Sequence, residues 1–192
     1  MQKLSLAQNP DADELLARNP LALLIGLVLD QQIPLEWAFT GPLTLTQRLG
    51  RELDPADLAA MDPEALVAAF VGPPALHRFP SAMAARVQDL CRIIVEQYDG
   101  DAARVWTTAA DGRELLARIE ALPGFGKQKA KITVALLGKQ LGVRPKGWRE
   151  AAGDFGRAGS YMSVADITNA KSLAKVRDFK KQMKAKAPQT KR

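Results

Sequence analysis

The residues best suited to chemistry lie in one short stretch, Leu122-Pro123-Gly124-Phe125-Gly126-Lys127-Gln128-Lys129-Ala130. Two glycines two positions apart allow a tight turn with positive φ, and they let another backbone come close. If a helix begins at about Lys127, its first amide groups point outward unpaired and, with the helix dipole, attract an anion. Lys127 and Lys131 lie one turn apart on such a helix. A Gly-X-Gly turn alone is common, but the Leu-Pro prefix, the small Ala130 and three lysines strengthen the prediction of a phosphate-binding turn.

Basic charge is concentrated in the last third of the chain. The 192 residues carry a formal net charge of +6. Residues 1–126 hold 10 Lys/Arg and 17 Asp/Glu, a net charge of −7, whereas residues 127–192 hold 17 and 4, a net charge of +13. A basic surface suits a nucleic-acid partner, because neutralised phosphates release counterions. The lysine-rich residues 180–186 are equally typical of a solvated helix end, so both interpretations stay open.

The composition excludes several kinds of site. With one cysteine, Cys91, and one histidine, His77, the sequence supports no disulfide framework, zinc cluster or iron–sulfur cluster, and no Cys/His pair made with distant cysteines. We expect the lone His77 at the surface or in a cap. The longest apolar run, residues 21–29, is about half of the roughly 20 residues that a membrane span needs. The first residues show no signal-peptide pattern, so we expect a cytoplasmic protein.

Helical patterns run along the chain. Asn19-Pro20, Asp54-Pro55 and Asp62-Pro63 each place an N-cap acceptor before a proline at the first helical position. Between Met83 and Tyr98 apolar residues recur with a helical period, which predicts that Cys91 packs in the core. Further helices are predicted over residues 11–18, 20–32, 34–50 with a break near Gly41-Pro42, 54–60, 62–70, 111–121, 127–140 and 168–187. Residues 142–159 are predicted to be one long irregular connection. No stretch requires a sheet, so we predict an all-α fold and a single domain over residues 1–192.

These patterns resemble the helix-hairpin-helix superfamily of base-excision DNA glycosylases. Its members share Leu-Pro-Gly-X-Gly followed by a helix with a small residue, as in residues 122–130. Residues 19–32 resemble the first core helix of that family, and residues 61–66 and 84–97 resemble its next elements in the same order. The resemblance covers roughly residues 19–140 and is to the endonuclease III-like core. It implies a two-lobed helical fold with the hairpin motif at 111–140, a reduced second lobe, and a basic C-terminal helix and tail at 168–192.

The resemblance implies a role for each matching residue. Relatives rotate a nucleotide out of the duplex, and a glutamine fills the gap, a position matched by Gln32 with Gln31 beside it. The DNA-contacting residues implied in and after the turn are Leu122, Gly124, Phe125, Gly126, Lys127, Gln128, Lys129 and Lys131. The implied partner is double-stranded DNA with a damaged, mispaired or abasic site, bound by a nucleoid-associated monomer. No cofactor is required, and a monovalent or divalent cation at the hairpin is left open.

The catalytic carboxylate is not fixed by the resemblance. Relatives place an aspartate roughly sixteen to eighteen residues beyond the hairpin-helix alanine, where this chain has Lys146 and Trp148. Asp166 is the preferred candidate, because it sits in a Val-X-Asp-X-Thr setting like that of the family, and Asp154 is the second. Asp166 also fits an ordinary helix N-cap, and loss of the catalytic aspartate is the third alternative.

Gln128 stands where bifunctional relatives carry a lysine that attacks the sugar C1′. Lys127 and Lys129 flank it, but neighbouring helical residues point about 100° apart, so neither is expected to reach the same atom. The sequence therefore predicts a monofunctional glycosylase that leaves an intact abasic strand. One alternative is a non-catalytic module that binds abasic or distorted DNA, and another is a helical protein–protein scaffold.

Overall fold

The structure is a computed structural model that describes residues 2–188. Within them the chain forms α-helices and two short 3-10 helices, and no strand, so the all-α prediction is confirmed. The α-helices are α1 (Pro10–Arg18), α2 (Pro20–Leu29), α3 (Leu35–Leu49), α4 (Pro55–Ala60), α5 (Pro63–Val71), α6 (Pro80–Tyr98), α7 (Arg104–Thr107), α8 (Gly112–Glu120), α9 (Lys127–Gln140), α10 (Trp148–Ala152) and α11 (Ala170–Lys186). The 3-10 helices are Gly153–Gly156 and Val164–Asp166. Residues 189–192 of the predicted tail lie outside the described residues.

Helices α1 to α6 form the first lobe, and capping explains where several of them begin. Asn19, Asp54 and Asp62 each accept a hydrogen bond from a first-turn amide, and a proline follows each at the first helical position. The three predicted helix starts are therefore confirmed. Cys91 is fully buried on α6, and burial raises the pKa of its thiol to about 12. It is an inert core residue, as its position in the apolar stripe predicts.

Helix α2 is buried along almost its whole length, because glycines let α3 pack unusually close to it. A Cβ on Gly26 would lie 2.8 Å from Phe39, and a Cβ on Gly41 would lie 2.6 Å from Leu29. The predicted break near Gly41-Pro42 is wrong, since α3 runs through both residues. Pro42 lacks the amide that a helix interior normally uses, but the buried contact with α2 offsets that loss.

The second lobe is built from α8 to α11 with the two 3-10 helices, and α7 connects it to α6. The predicted irregular connection over 142–159 is wrong in part, because it contains α10 and the first 3-10 helix. Trp148 holds this segment to α9. Its buried ring covers Gly138 so closely that a Cβ on Gly138 would lie 2.3 Å from Cε3 of the ring. Sequence periodicity cannot show this contact, because the helix is only five residues long.

A single cluster of buried apolar side chains continues through both lobes. Within residues 2–188, no helix combines the length and the apolar character that crossing a membrane would take. The two lobes meet where α2 ends and α9 begins, since Lys129 of α9 donates a hydrogen bond to the Leu27 carbonyl of α2.

The contact between Gly138 and Trp148 gives a test of this packing. We expect Gly138→Ala to lower the free energy of unfolding by about 1–3 kcal/mol, because the added methyl group overlaps the indole ring. The measurement is urea denaturation followed by circular dichroism. Gly126→Ala is the matched control, because a Cβ there meets nothing within 4 Å, and its effect should stay below about 1 kcal/mol. Equal effects would contradict the packing assigned to Trp148.

Candidate functional site

The turn between α8 and α9 has the shape that the sequence predicts. Gly124 has φ 87, and a Cβ on it would lie 2.9 Å from Cδ of Arg86, so both conformation and space require glycine. The Phe125 amide donates to the Leu122 carbonyl at 3.1 Å. The side chains of Leu122 and Phe125 are buried, and they hold the turn to the body instead of facing outward. Only their backbone groups remain for the contact with DNA that the resemblance implies.

The first turn of α9 is open to an anion. Gly126 is its N-cap residue and supplies no side chain, so the early amides of the helix receive no side-chain cap. A Cβ on Gly126 would meet nothing within 4 Å, which leaves the approach to these amides clear. Lys127 in this first turn and Lys131 one turn further along α9 are both exposed. Backbone donors, the helix dipole and two amines thus converge on one place where a phosphate can bind.

The two predicted glutamines lie in the segment after α2, which ends at Leu29 and not at residue 32 as predicted. The helix stops early because Asp30, with φ −73 and ψ 66, already leaves the helical region, and Gln32 then adopts φ 58, a left-handed conformation that is uncommon outside glycine. Gln32 is exposed and Gln31 is half-buried, with its amide nitrogen 3.9 Å from the sulfur of Met83. The strained backbone therefore directs one glutamine to solvent and the other toward the protein.

The buried side chain of His77 forms a hydrogen bond to the backbone of the segment that holds Gln31 and Gln32. The Phe79 amide donates to Nδ1 of His77 at 3.0 Å, so the ring proton lies on Nε2, which donates to the Gln31 carbonyl at 2.8 Å. The ring is buried, with 1% of its surface exposed, so the expectation of a surface histidine is wrong. A ring with both nitrogens engaged in fixed bonds serves to hold the glutamine segment in place.

A cleft of about 900 Å³ opens between the lobes beside these two elements. Its volume falls within the usual range of small-molecule sites, about 300–1,000 Å³. The first lobe contributes Leu27 and residues 30–34, and α9 contributes Gln128, Lys129 and Ile132. The far wall consists of Phe155, Met162, Ser163, Val164, Phe179, Lys180, Met183 and Lys184. The cleft therefore combines an apolar interior with glutamines and lysines at its walls.

Lys129 crosses from one lobe to the other inside this cleft. Its amine donates to the Leu27 carbonyl at 2.7 Å, at the end of α2 where helix carbonyls lack intrahelical partners. Burial lowers the pKa of Lys129, while the charge of Asp30 acts in the opposite direction. Gln128 and Lys129 both line this cleft, although they point about 100° apart on α9.

Neither aspartate predicted to be catalytic lines the cleft. Asp166 is bound on all sides: Oδ1 accepts from Lys139 at 2.6 Å, and Oδ2 accepts from the Ser160 hydroxyl at 3.0 Å and the Met162 amide at 2.9 Å. Only 5% of its side chain is exposed. Asp154 lies at the surface and forms an ion pair with Arg157 at 2.8 Å. Their catalytic roles stay predictions that this geometry does not favour.

The carboxylate that does line the cleft is Asp30, which the sequence reasoning missed. It follows a nine-residue apolar run and immediately precedes Gln31 and Gln32. An acidic residue directly after a long apolar helix is the signal that could have identified Asp30. The first residue beyond the end of a buried helix can lie at the boundary between two lobes. Burial raises the pKa of Asp30, and the charges of Lys180 and Lys129 oppose that rise.

Sequence comparison places this geometry in a family. The sequence model of the HhH-GPD superfamily of base excision DNA repair proteins matches residues 25–191. The chain belongs to this superfamily. Among solved structures, this HhH-GPD protein is similar to a trapped covalent intermediate of endonuclease III with DNA, in its estranged-adenine complex. The two share 22% identity with a TM-score of 0.49, over 90% of this chain and 79% of that chain. The comparison with curated proteins finds no match.

The donor set of this HhH-GPD protein does not fit an iron–sulfur cluster, because the sequence has one cysteine where such clusters take four. Over residues 2–188, no group of three or more His, Cys, Asp or Glu side chains gathers to hold a metal ion. A cation at the hairpin carbonyls stays a prediction.

The open first turn of α9 predicts a salt-dependent contribution to DNA binding. Lys127→Gln and Lys131→Gln should each weaken duplex binding and lower the slope of log K against log salt by about 0.9, because one phosphate contact is lost. Arg113→Gln removes the same charge at the opposite end of α8 and should leave the slope unchanged. Fluorescence anisotropy at several salt concentrations measures the slopes. Equal effects at all three positions would contradict a localised phosphate site.

The buried ion pair of Asp166 predicts a structural phenotype. Asp166→Asn should lower the free energy of unfolding by about 3 kcal/mol, because Lys139 is left with a buried, uncompensated charge. The exposed pair of Asp154 makes Asp154→Asn the matched control, with a change within about 0.5 kcal/mol. Both values come from chemical denaturation at pH 7. An unchanged stability in Asp166→Asn would contradict the role assigned to this carboxylate.

Proposed function

We propose that this protein is a monofunctional DNA glycosylase of base-excision repair. It rotates a damaged or mispaired nucleotide out of double-stranded DNA and hydrolyses the N-glycosidic bond of that nucleotide. Membership in the HhH-GPD superfamily supports the class of protein. The observation that carries the proposal is the interlobe cleft, which opens between the uncapped turn at α9 and the segment holding Gln31 and Gln32.

In this proposal, the turn before α9 contacts the DNA backbone, and the segment with Gln31 and Gln32 contacts the duplex at the damaged site. The amides after Gly126, with Lys127 and Lys131, bind a backbone phosphate and fix the register of the duplex. The exposed Gln32 fills the gap that the rotated nucleotide leaves. The nucleotide enters the cleft, where Ile132, Phe155 and other apolar side chains contact the base and exclude water.

Water is the proposed nucleophile, because Gln128 supplies no amine at the cleft wall. Lys129 is the nearest competitor for that role, since burial increases the neutral fraction of its amine. Its hydrogen bond to the Leu27 carbonyl holds that amine against the end of α2. We therefore assign Lys129 to holding the lobes together and to the local charge balance.

A second candidate function is a non-catalytic module that binds abasic or distorted DNA. It is favoured by one observation, that Asp166 and Asp154 are both engaged in ion pairs outside the cleft. A protein of this kind would use the same turn and the same Gln32, and it would release no base.

Base release distinguishes the two functions. The substrates are duplexes that contain uracil, 8-oxoguanine, alkylated purines or mismatches, each incubated with the protein and then heated in alkali. We expect strand cleavage only after alkali, with at least one of these duplexes. Salt-dependent binding to abasic duplex without cleavage of any substrate would support the binding module instead.

Borohydride trapping tests the monofunctional assignment. A Schiff base between a protein amine and an abasic site becomes a permanent crosslink on reduction, and we expect none with the wild-type protein. A duplex trapped to a glycosylase of known lyase activity is the positive control for the chemistry. A crosslink that disappears in Lys129→Gln and persists in Lys127→Gln would contradict the assignment and identify Lys129 as a nucleophile.

A further inference from the structure

Among the described residues 2–188 that line the interlobe cleft, Asp30 is the sole carboxylate. The other polar groups there are glutamines, lysines and Ser163. Cleavage of an N-glycosidic bond builds positive charge on the sugar, and a carboxylate stabilises that charge or removes a proton from the attacking water. The chemistry therefore calls for a group that only Asp30 supplies in this cleft.

The hydrogen bonds of Asp30 distinguish it from the other two aspartates. Within residues 2–188, no hydrogen bond or ion pair occupies its carboxylate, and only its backbone amide is used, in a bond to the Gly26 carbonyl at 3.0 Å. Asp166 accepts hydrogen bonds from Lys139, Ser160 and Met162, and Oδ1 of the exposed Asp154 pairs with Arg157 outside the cleft. A half-buried carboxylate with unused acceptors is free to bind a water molecule or face a cation, which a fully bonded carboxylate is not.

The position of Asp30 in the chain couples it to the elements that would hold DNA. It lies two residues before Gln32, the residue proposed to fill the gap in the duplex, and opposite the first turn of α9. The bond from Lys129 to Leu27 ties these two elements together a few residues away. A nucleotide that leaves its stack beside Gln32 would thus bring its sugar toward Asp30.

Positive charges from two helices act on this carboxylate. Lys129 of α9 and Lys180 of α11 line the same cleft, with Lys184 further along the same wall, and the charges of Lys129 and Lys180 lower the pKa of Asp30 against the effect of burial. Arg86 of α6 acts in turn on Lys129. The neutral His77 lies behind Gln31. These lysines favour the ionised carboxylate that the reaction needs, even though burial opposes it.

We propose that Asp30 is the catalytic carboxylate of this protein, a role that rests on the glycosylase function proposed above. The oxygen of a water molecule bonds to C1′, and Asp30 takes the proton that the water loses. The bond between C1′ and the base nitrogen breaks, and its electron pair leaves with the base. The proton returns through solvent to the released base, so the carboxylate is regenerated. Lys129 and Lys180 are positioning residues for the charge of Asp30.

Binding of cationic sugar analogues tests the proposal without knowledge of the damaged base. Two duplexes are compared, one with a pyrrolidine abasic analogue that carries a positive charge and one with neutral tetrahydrofuran in its place. The wild-type protein should bind the pyrrolidine duplex about tenfold or more tightly, and Asp30→Asn should reduce this ratio to near one. Asp30→Glu keeps the charge and should retain a preference. Asp154→Asn and Asp166→Asn should keep the full ratio, with folding verified by circular dichroism.

Base release and its pH dependence provide the second readout. With the substrate found by the duplex panel, Asp30→Asn should slow single-turnover release by about 100-fold or more. The wild-type rate should fall at low pH as Asp30 becomes protonated, around a pKa above the ordinary value of 3.8. Lys129→Met removes a charge that lowers this pKa, so the acidic limb should move to higher pH. Lys129→Arg keeps the charge and should leave the limb in place. A merely structural role of the lysine would not predict the shift in Lys129→Met.

The outcomes separate this proposal from the glycosylase function itself. Base release that is unchanged in Asp30→Asn overturns the role of Asp30 and leaves the function standing. A charge preference that depends on Asp30, without release of any base, supports the electrostatic role and contradicts the glycosylase function. Equal binding of both analogues by the wild-type protein, or binding of neither, overturns the role of Asp30.

Discussion

The hydrogen bond between the start of α9 and the end of α2 determines how the two lobes and the cleft between them are arranged. The last turn of α2 presents carbonyls without intrahelical partners, and Lys129 at the start of α9 donates to one of them, the Leu27 carbonyl, at 2.7 Å. The partial negative charge of one helix end is thereby balanced by an amine from the other helix. Because the two ends face each other across the lobe boundary, both the uncapped amides of α9 and the segment after α2 open on the same cleft.

Close packing through glycines holds these helix ends at a fixed distance. At Gly26 and Gly41, α2 and α3 pack so closely that no Cβ atom would fit between them. At Gly138, the ring of Trp148 packs against α9 equally closely. The helices that border the cleft are thus closely packed, while Gln32 and the turn before α9 lie just beyond their ends. His77 adds a fixed bond to the Gln31 carbonyl, which confines the strained segment that includes Gln32. Such preorganisation is what a site needs when it must act on charge that develops only during reaction.

The three aspartates show that the position of a carboxylate in the chain does not decide its role. Asp166 has the sequence context that resembles the family, yet its oxygens neutralise Lys139 and brace the segment from Ser160 to Met162. Asp30 has no such context, and its carboxylate faces the cleft with unused acceptors. Burial and two lysines act on its pKa in opposite directions.

The helical class, most helix starts and the conformation of the turn before α9 depend on neighbours in the chain, so the sequence predicts all three. Asn19 before Pro20 caps α2, and Gly124 and Gly126 shape the turn, through contacts that span only a few residues. Tertiary structure alone decided that α3 runs through Pro42, that Trp148 anchors a short helix, and that Asp30 rather than Asp166 lines the cleft. Each of these depends on contacts between residues far apart in the chain, which local propensity and periodicity do not encode.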